Sequence, residues 1–139
     1  MNNLTTDDIL AGIRMAIMFA SEINNLKNYS GFEDDNSKIN FEVYMQRYEK
    51  KTLNSLEESL KWAEEHSDYD FKSIDTYYAK KHSNEELFWY FGKLKNALSN
   101  MEYDESLYAE DYWDKDPDEQ DEWDDYVRET LEKREKEKG

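Results

Sequence analysis

The chain has no cysteine, one proline and four glycines in 139 residues. Without cysteine there is no disulfide framework, no thiolate zinc site and no thiol nucleophile. Two histidines, His66 and His82, offer little imidazole for acid–base chemistry or metal ligation. Few glycines and a single proline leave long unbroken stretches, which suit helices best. Positive charge is also short. Eighteen Lys and Arg stand against 34 Asp and Glu, a formal net charge of −16, with an isoelectric point near 4.4. That balance argues against direct binding of nucleic acid, which needs a cationic footprint. It disfavours anionic membranes for the same reason. The apolar run from Ile9 to Ala20 is interrupted by Arg14 and is shorter than the ~20 residues that span a bilayer. The first eight residues lack the positive region of a signal peptide, so a cytoplasmic location is the expectation.

What the chain does have is aromatic residues: six Phe, eleven Tyr and four Trp, 15% of the total. A mean hydropathy of −1.15 leans towards disorder. Aromatic side chains oppose that, because they supply the buried area that beats chain entropy. The expectation is one all-α domain over residues 1–139, a small bundle of four to six helices. Residues 1–101 form its helical core, 102–125 a strongly acidic, aromatic-rich segment, and 117–138 a C-terminal helix.

Helix boundaries can be read from caps and apolar spacing. Thr5 can cap a helix, and Asp7 and Asp8 favour its positive end. Ile9, Ile13, Ile17 and Ala20 then recur at helical spacing, with Leu10, Met15, Met18 and Phe19 widening the stripe and Ile23 and Leu26 continuing it. A helix apolar almost all round is a central core helix or a homodimer face. Residues 28–37 read as a loop by their Gly, Ser, Asn and Asp content. Ile39, Phe41 and Val43 alternate with polar residues, which suits a short strand near 39–43. Phe41, Tyr44, Met45 and Tyr48 suit a helix, and no partner strand is evident, so the helix is preferred. Ser55 with Glu58 resembles a capping box, which points to a restart near Thr52. Residues 68–81 read as a loop plus a short helix carrying Ile74, Tyr77 and Tyr78. Ser83 and Glu86 form a second capping box, followed by Leu87, Phe91, Leu94, Leu98 and Met101 on one face. Asp116, Pro117 and Glu119 start the last helix. Trp123, Val127 and Leu131 form its apolar seam, and Glu129–Lys133 and Glu132–Lys136 are supporting pairs at i, i+4.

No catalytic constellation is visible. His66 and His82 sit near predicted helix ends, where a protonated imidazole favours the carbonyl terminus. There is no Gly-rich phosphate loop, nucleophile elbow or His-Glu-x-x-His pattern. Asp114, Asp116, Asp118 and Asp125 occupy positions 1, 3, 5 and 12 of a calcium loop. Such a loop wants Gly at position 6 and a bidentate Glu at 12, and here position 6 is Glu119. No catalytic, cofactor-binding or metal-binding residue is therefore assigned, and the chain reads as a non-enzyme without cofactors.

The acidic segment is the feature that a function must explain. Glu102 to Asp125 holds 13 acids and one base, Lys115. One-signed charge repels itself and costs stability. Tyr103, Tyr108, Tyr112, Trp113, Trp123 and Tyr126 are interleaved with or adjoin it, and Tyr and Trp are common interface anchors. Twelve net charges in 24 residues is one per two residues. On a helix rising ~1.5 Å per residue that is a charge every ~3 Å. One DNA strand carries a phosphate every ~3.4 Å.

In its small size, acidity, helical pattern and aromatic content, the chain resembles the DNA-mimic inhibitors that phages and mobile elements direct at restriction enzymes and CRISPR effectors. Glu102 to Asp125 carries the resemblance, which is compositional and involves no family motif. It implies a non-enzymatic inhibitor whose carboxylates fill the Lys/Arg-lined nucleic-acid groove of a host nuclease. The partner would be a basic protein met in the host cytoplasm. An immunity protein or antitoxin that neutralises a basic toxin nuclease would use the same electrostatics, and an acidic adaptor or regulatory protein is a third class. The partner-binding residues expected on this reading are Asp104, Glu105, Glu110, Asp111, Trp113, Asp114, Asp116, Asp118, Glu119, Asp121, Glu122, Asp124 and Asp125.

Overall fold

Helices form where a capping side chain meets a periodic apolar run, and the sequence supplies three such starts. Asp34 accepts from the Ser37 amide at 2.8 Å and opens α2 (Asp35–Met45). Ser83 and Glu86 make the reciprocal box: the Glu86 amide donates to Ser83 Oγ at 3.1 Å and the Ser83 amide to Glu86 Oε1 at 2.8 Å. They open α4 (Asn84–Asn100). Asp116 accepts from the Glu119 amide at 2.9 Å and opens α5 (Pro117–Lys138). With α1 (Thr6–Ser21) and α3 (Lys50–Glu65), these are the α-helices of a small all-α fold. Single 3₁₀ turns lie at Phe71–Ser73, Glu105–Leu107 and Tyr112–Asp114. The computed structural model describes residues 6–21, 23, 26, 32 and 34–138.

The chain divides into two compact units. The first is Met1–Tyr29 with Lys51–Asn100; the second is Ser30–Lys50 with Met101–Gly139. The break in composition at Glu102 therefore marks a real structural boundary. What composition conceals is that residues 30–50 belong with the acidic C-terminal part.

The first unit has an apolar interior. α1 buries Ile13, Ala16, Ile17 and Ala20; α3 buries Leu53, Leu56, Leu60 and Ala63; α4 buries Leu87, Tyr90, Phe91, Leu94 and Leu98. A Cβ on Gly12 would lie 2.1 Å from Ser59 Oγ, so glycine is what lets α1 approach α3 here. Phe71 is fully buried, edge-on to Phe91 at 5.2 Å. Asn84 fixes its backbone by accepting from the Phe71 amide at 2.7 Å and donating to the Tyr69 carbonyl at 2.9 Å.

The second unit has a smaller core. Val43, Leu107, Val127 and Leu131 are buried together, with Ile39 and Trp123 packed against them. Gln46 is also buried. Its amide donates to the Asp104 carbonyl and accepts from the Asp104 amide, both at 2.9 Å. The Tyr103 hydroxyl donates to the Tyr48 carbonyl at 2.7 Å.

Several expectations are corrected. Among the described residues there is no strand; 39–43 lie inside α2, where Ile39 and Val43, one helical turn apart, face the same core. The loop expected over 28–37 ends early, because the Asp34 cap starts α2 at residue 35. Its residues 28–31 and 33, like the Thr5 cap, lie outside the described residues. A helix does restart near Thr52, at Lys50, but Ser55 and Glu58 are mid-helix, not a box, because the apolar period begins at Leu53 and carries α3 through them. The short helix at 74–78 is replaced by a 3₁₀ turn at Phe71–Ser73 followed by turns, with Phe71 as the anchor. α1 stops at Ser21, so Ile23 and Leu26 lie beyond it, and Met101 lies just past α4. The charge spacing reckoned above on a helical rise does not hold for residues 102–116, which are not an α-helix. They are extended backbone and two 3₁₀ turns that bury Leu107 and Tyr112. Neither Glu129–Lys133 nor Glu132–Lys136 forms an ion pair among the described residues; Arg134 between them binds Asp104 at 2.6 Å.

Candidate functional site

The second unit sorts its carboxylates into two sets. Three of the thirteen residues assigned above serve the fold. Asp104 accepts from the Ser106 amide and hydroxyl at 2.9 and 2.7 Å and pairs with Arg134. The Ser106 bonds first, then Arg134, hold its carboxyl below the usual carboxylate range. Asp116 is lowered by the Glu119 amide that it caps. Asp124 is held by Arg47 Nη2 at 2.8 Å and by the Tyr112 hydroxyl at 3.0 Å. The Arg47 guanidinium also lies 4.8 Å from the Tyr44 ring centre and 5.2 Å from that of Tyr112. These pairings are set by cations up to 77 residues away in sequence, so no local pattern identifies them.

The other set faces solvent. Glu105, Glu110, Asp114, Asp118, Glu119, Asp121, Glu122 and Asp125 are exposed. Among the described residues no cation reaches them within ion-pair distance. Asp111 is exposed too, 3.6 Å from Lys115. At ~3.6 residues per turn, Asp118, Asp121, Glu122, Asp125, Glu129 and Glu132 fall on the side of α5 opposite Val127 and Leu131. All six are exposed. They form a stripe ~21 Å long at ~1.5 Å per residue, a carboxylate every ~4 Å. Glu129 and Glu132 were not assigned from sequence. The 3.6-residue period of the acids would have found them.

Exposed aromatics accompany the charge. Trp113 is 57% and Tyr126 53% exposed. Trp113 is carried on a fixed turn. The Gln120 amide nitrogen donates to the Tyr112 carbonyl at 3.0 Å, and the Trp113 ring lies edge-on to Tyr112 at 5.0 Å and tilted against Tyr48 at 5.8 Å. Tyr112 and Tyr103 titrate at about 12, pushed up mainly by burial and then by neighbouring acidic groups. Tyr108 is raised by loss of solvent, then by Glu49 and Glu110. Glu49 therefore belongs to this surface, a residue that sequence reading passed over.

The remaining groups are occupied otherwise. His82 is buried, with Nε2 2.9 Å from the Ala20 carbonyl near the end of α1. His66 follows α3, with Nδ1 2.7 Å from the Trp62 carbonyl and its ring stacked on Trp62 at 4.1 Å. A cleft of about 260 Å³ in the first unit is lined by Leu60, Glu64, Phe88, Trp89, Phe91 and Gly92. Its one charged group, Glu64, is paired with Lys95 at 2.9 Å. Among the described residues no group of three or more His, Asp or Glu is placed to hold a metal ion. Residues 117–125 are helical and cannot form a calcium loop. Among the described residues no helix is long and apolar enough to cross a membrane. Comparison with protein families, curated proteins and solved structures gave no match.

Proposed function

We propose that the chain is a non-enzymatic inhibitor that lays the acidic face of its second unit into the basic nucleic-acid groove of a nuclease and keeps DNA or RNA out. The observation that carries this reading is the α5 stripe of six exposed carboxylates opposite the helix's buried seam. Its axial spacing of ~4 Å is close to the ~3.4 Å between phosphates along one DNA strand. A face that served solubility alone would gain from interspersed cations, because one-signed charge destabilises a compact state. The two largest exposed rings of the unit, Trp113 and Tyr126, supply the anchor area that charge alone lacks.

The test is a variant that removes charge without touching the fold. Asp104, Asp116 and Asp124 are left alone. Asp118, Asp121 and Asp125 become Asn and Glu122 becomes Gln. Captured on a panel of restriction, CRISPR-effector and toxin nucleases, the parent should bind one of them and block its nucleic acid. Association should be fast at low salt and slow as salt rises. The variant should associate more slowly and lose inhibition while melting no lower than the parent. Inhibition equal to the parent's would show that the stripe is not the working surface.

A further inference from the structure

The second unit already holds one arginine in a way that shows what its surface recognises. Arg47 sits with its guanidinium on the Asp124 carboxylate, Nη2 to Oδ2 at 2.8 Å and Nε to Oδ1 at 3.4 Å. Two tyrosine rings, Tyr44 and Tyr112, lie within about 5 Å of its charge centre. A planar guanidinium suits this arrangement because it stacks on a ring while its fork donates to a carboxylate, which the compact ammonium of lysine cannot do.

The adjoining turn repeats those components, but its one cation, Lys115, pairs with Asp111 at 3.6 Å, and among the described residues none lies over the Trp113 ring or on Asp114. The Tyr112 ring meets both Arg47, 5.2 Å from its centre, and Trp113, T-shaped at 5.0 Å. Trp113 leans on Tyr48 and is more than half exposed. Asp111 and Asp114 flank it in the same turn, and Asp114 has no ion-pair partner among the described residues. The turn is fixed, with the Asp114 amide on the Asp111 carbonyl at 2.9 Å and the Lys115 amide on the Tyr112 carbonyl at 3.2 Å. The ring is thus held out to solvent by a structure that orders its backbone. An aromatic face beside an uncompensated carboxylate attracts a cation, and here that cation must come from outside.

We infer that Trp113, with Asp114 beside it, is a receptor for an arginine side chain of the partner protein. The inference rests on the acidic-inhibitor reading and sharpens it: the partner is an arginine-bearing groove, and arginine is preferred to lysine. The backbone-ordering contacts make Tyr112 a positioning residue for Trp113.

Capped hexa-arginine and hexa-lysine peptides carry equal charge and separate this idea from simple charge attraction. Titrated into the full chain at moderate salt, hexa-arginine should bind at least fivefold more tightly. It should shift the Trp113 indole N–H resonance, identified by its loss in Trp113→Phe. In Trp113→Leu the preference should fall to near unity while lysine binding is unchanged. Equal affinity for the two peptides, or an arginine preference that survives in Trp113→Leu, would overturn the inference. If Trp113→Leu lowers the melting temperature, resonance shifts in the parent decide: arginine-specific movement of the Trp113 signal supports the assignment, and its absence refutes it. The stripe variant on the nuclease panel reports separately. Nuclease inhibition that depends on the stripe in a chain without arginine preference would sink this inference and leave the mimic standing.

Discussion

The two units of this chain carry the same number of cations and use them differently. The first holds 12 acids and nine bases in 79 residues; the second holds 22 acids and nine bases in 60. In the first, packing dominates: Phe71, Phe91 and the aliphatic faces of three helices fill one interior. In the second, a small apolar cluster is supplemented by polar clasps, and the partly buried Arg47 and the exposed Arg134 pair with Asp124 and Asp104. Cations taken up by these two fold-bearing carboxylates do not offset the exposed ones. The acidity of the surface follows partly from composition and partly from this arrangement.

The strongest way to break the comparison is at the apolar interior. Phe71→Ala should cost ~3–5 kcal/mol, as large-to-small changes at buried aromatics do. Residue-resolved hydrogen exchange should show the loss around α3 and α4, with Trp62 and Trp89 reporting by fluorescence. Equal loss of protection around α2 and α5 would mean that the two units do not have separate stabilities. The matching change in the second unit is Gln46→Leu. It keeps bulk but strips both bonds from the Asp104 main chain, and should cost about 2 kcal/mol, the penalty of leaving buried polar groups unpaired. Trp113 and Trp123 report that loss.

Proton linkage sharpens the contrast further. Asp34, Asp104 and Asp116 have folded values below their ordinary 3.8. The stability they contribute is present above about pH 4 and disappears as pH falls through the folded values. Tyr103 and Tyr112 move from 10.0 to about 12. Their contribution is complete below pH 10 and is lost as pH climbs from 10 to about 12. All five lie in the second unit. Its fluorescence should therefore respond at both extremes before that of Trp62 and Trp89, and tyrosinate absorbance should rise late. The smallest effect is that of salt. Screening the uncompensated stripe should stabilise the second unit by ~1 kcal/mol or less, visible as slower exchange around α5 and not around α1.

The sequence disclosed what is local. Ser83 with Glu86, and Asp116 with Pro117 and Glu119, are complete instructions within one turn, and α4 and α5 start where they say. The α5 seam of Trp123, Val127 and Leu131 was legible from period alone. Ser55 with Glu58 misled because a box pattern inside a continuing apolar period has no free helix end to cap. Phe71 was missed because a buried residue on a single 3₁₀ turn has no period. Asp104 and Asp124 were grouped with the exposed acids because Arg134 and Arg47, which withdraw them from the surface, are chosen by the tertiary fold. Tyr48 and Glu49 were missed for the same reason: they reach the acidic segment only once α2 packs against α5.

That packing has a consequence in time. Val43 meets Val127, 84 positions further along the chain. At synthesis rates of ~5–20 residues per second, roughly 4–17 s pass between making the two. Until Leu107 and then α5 emerge, Ile39 and Val43 lack the residues that they pack against, and closing so long a loop carries an entropic cost of its own. Nascent chains halted before residue 117 should be cut readily by protease within 35–45, and chains carrying α5 should resist. The acidic face of α5 is thus completed well after the residues of α2 that it packs against have been made.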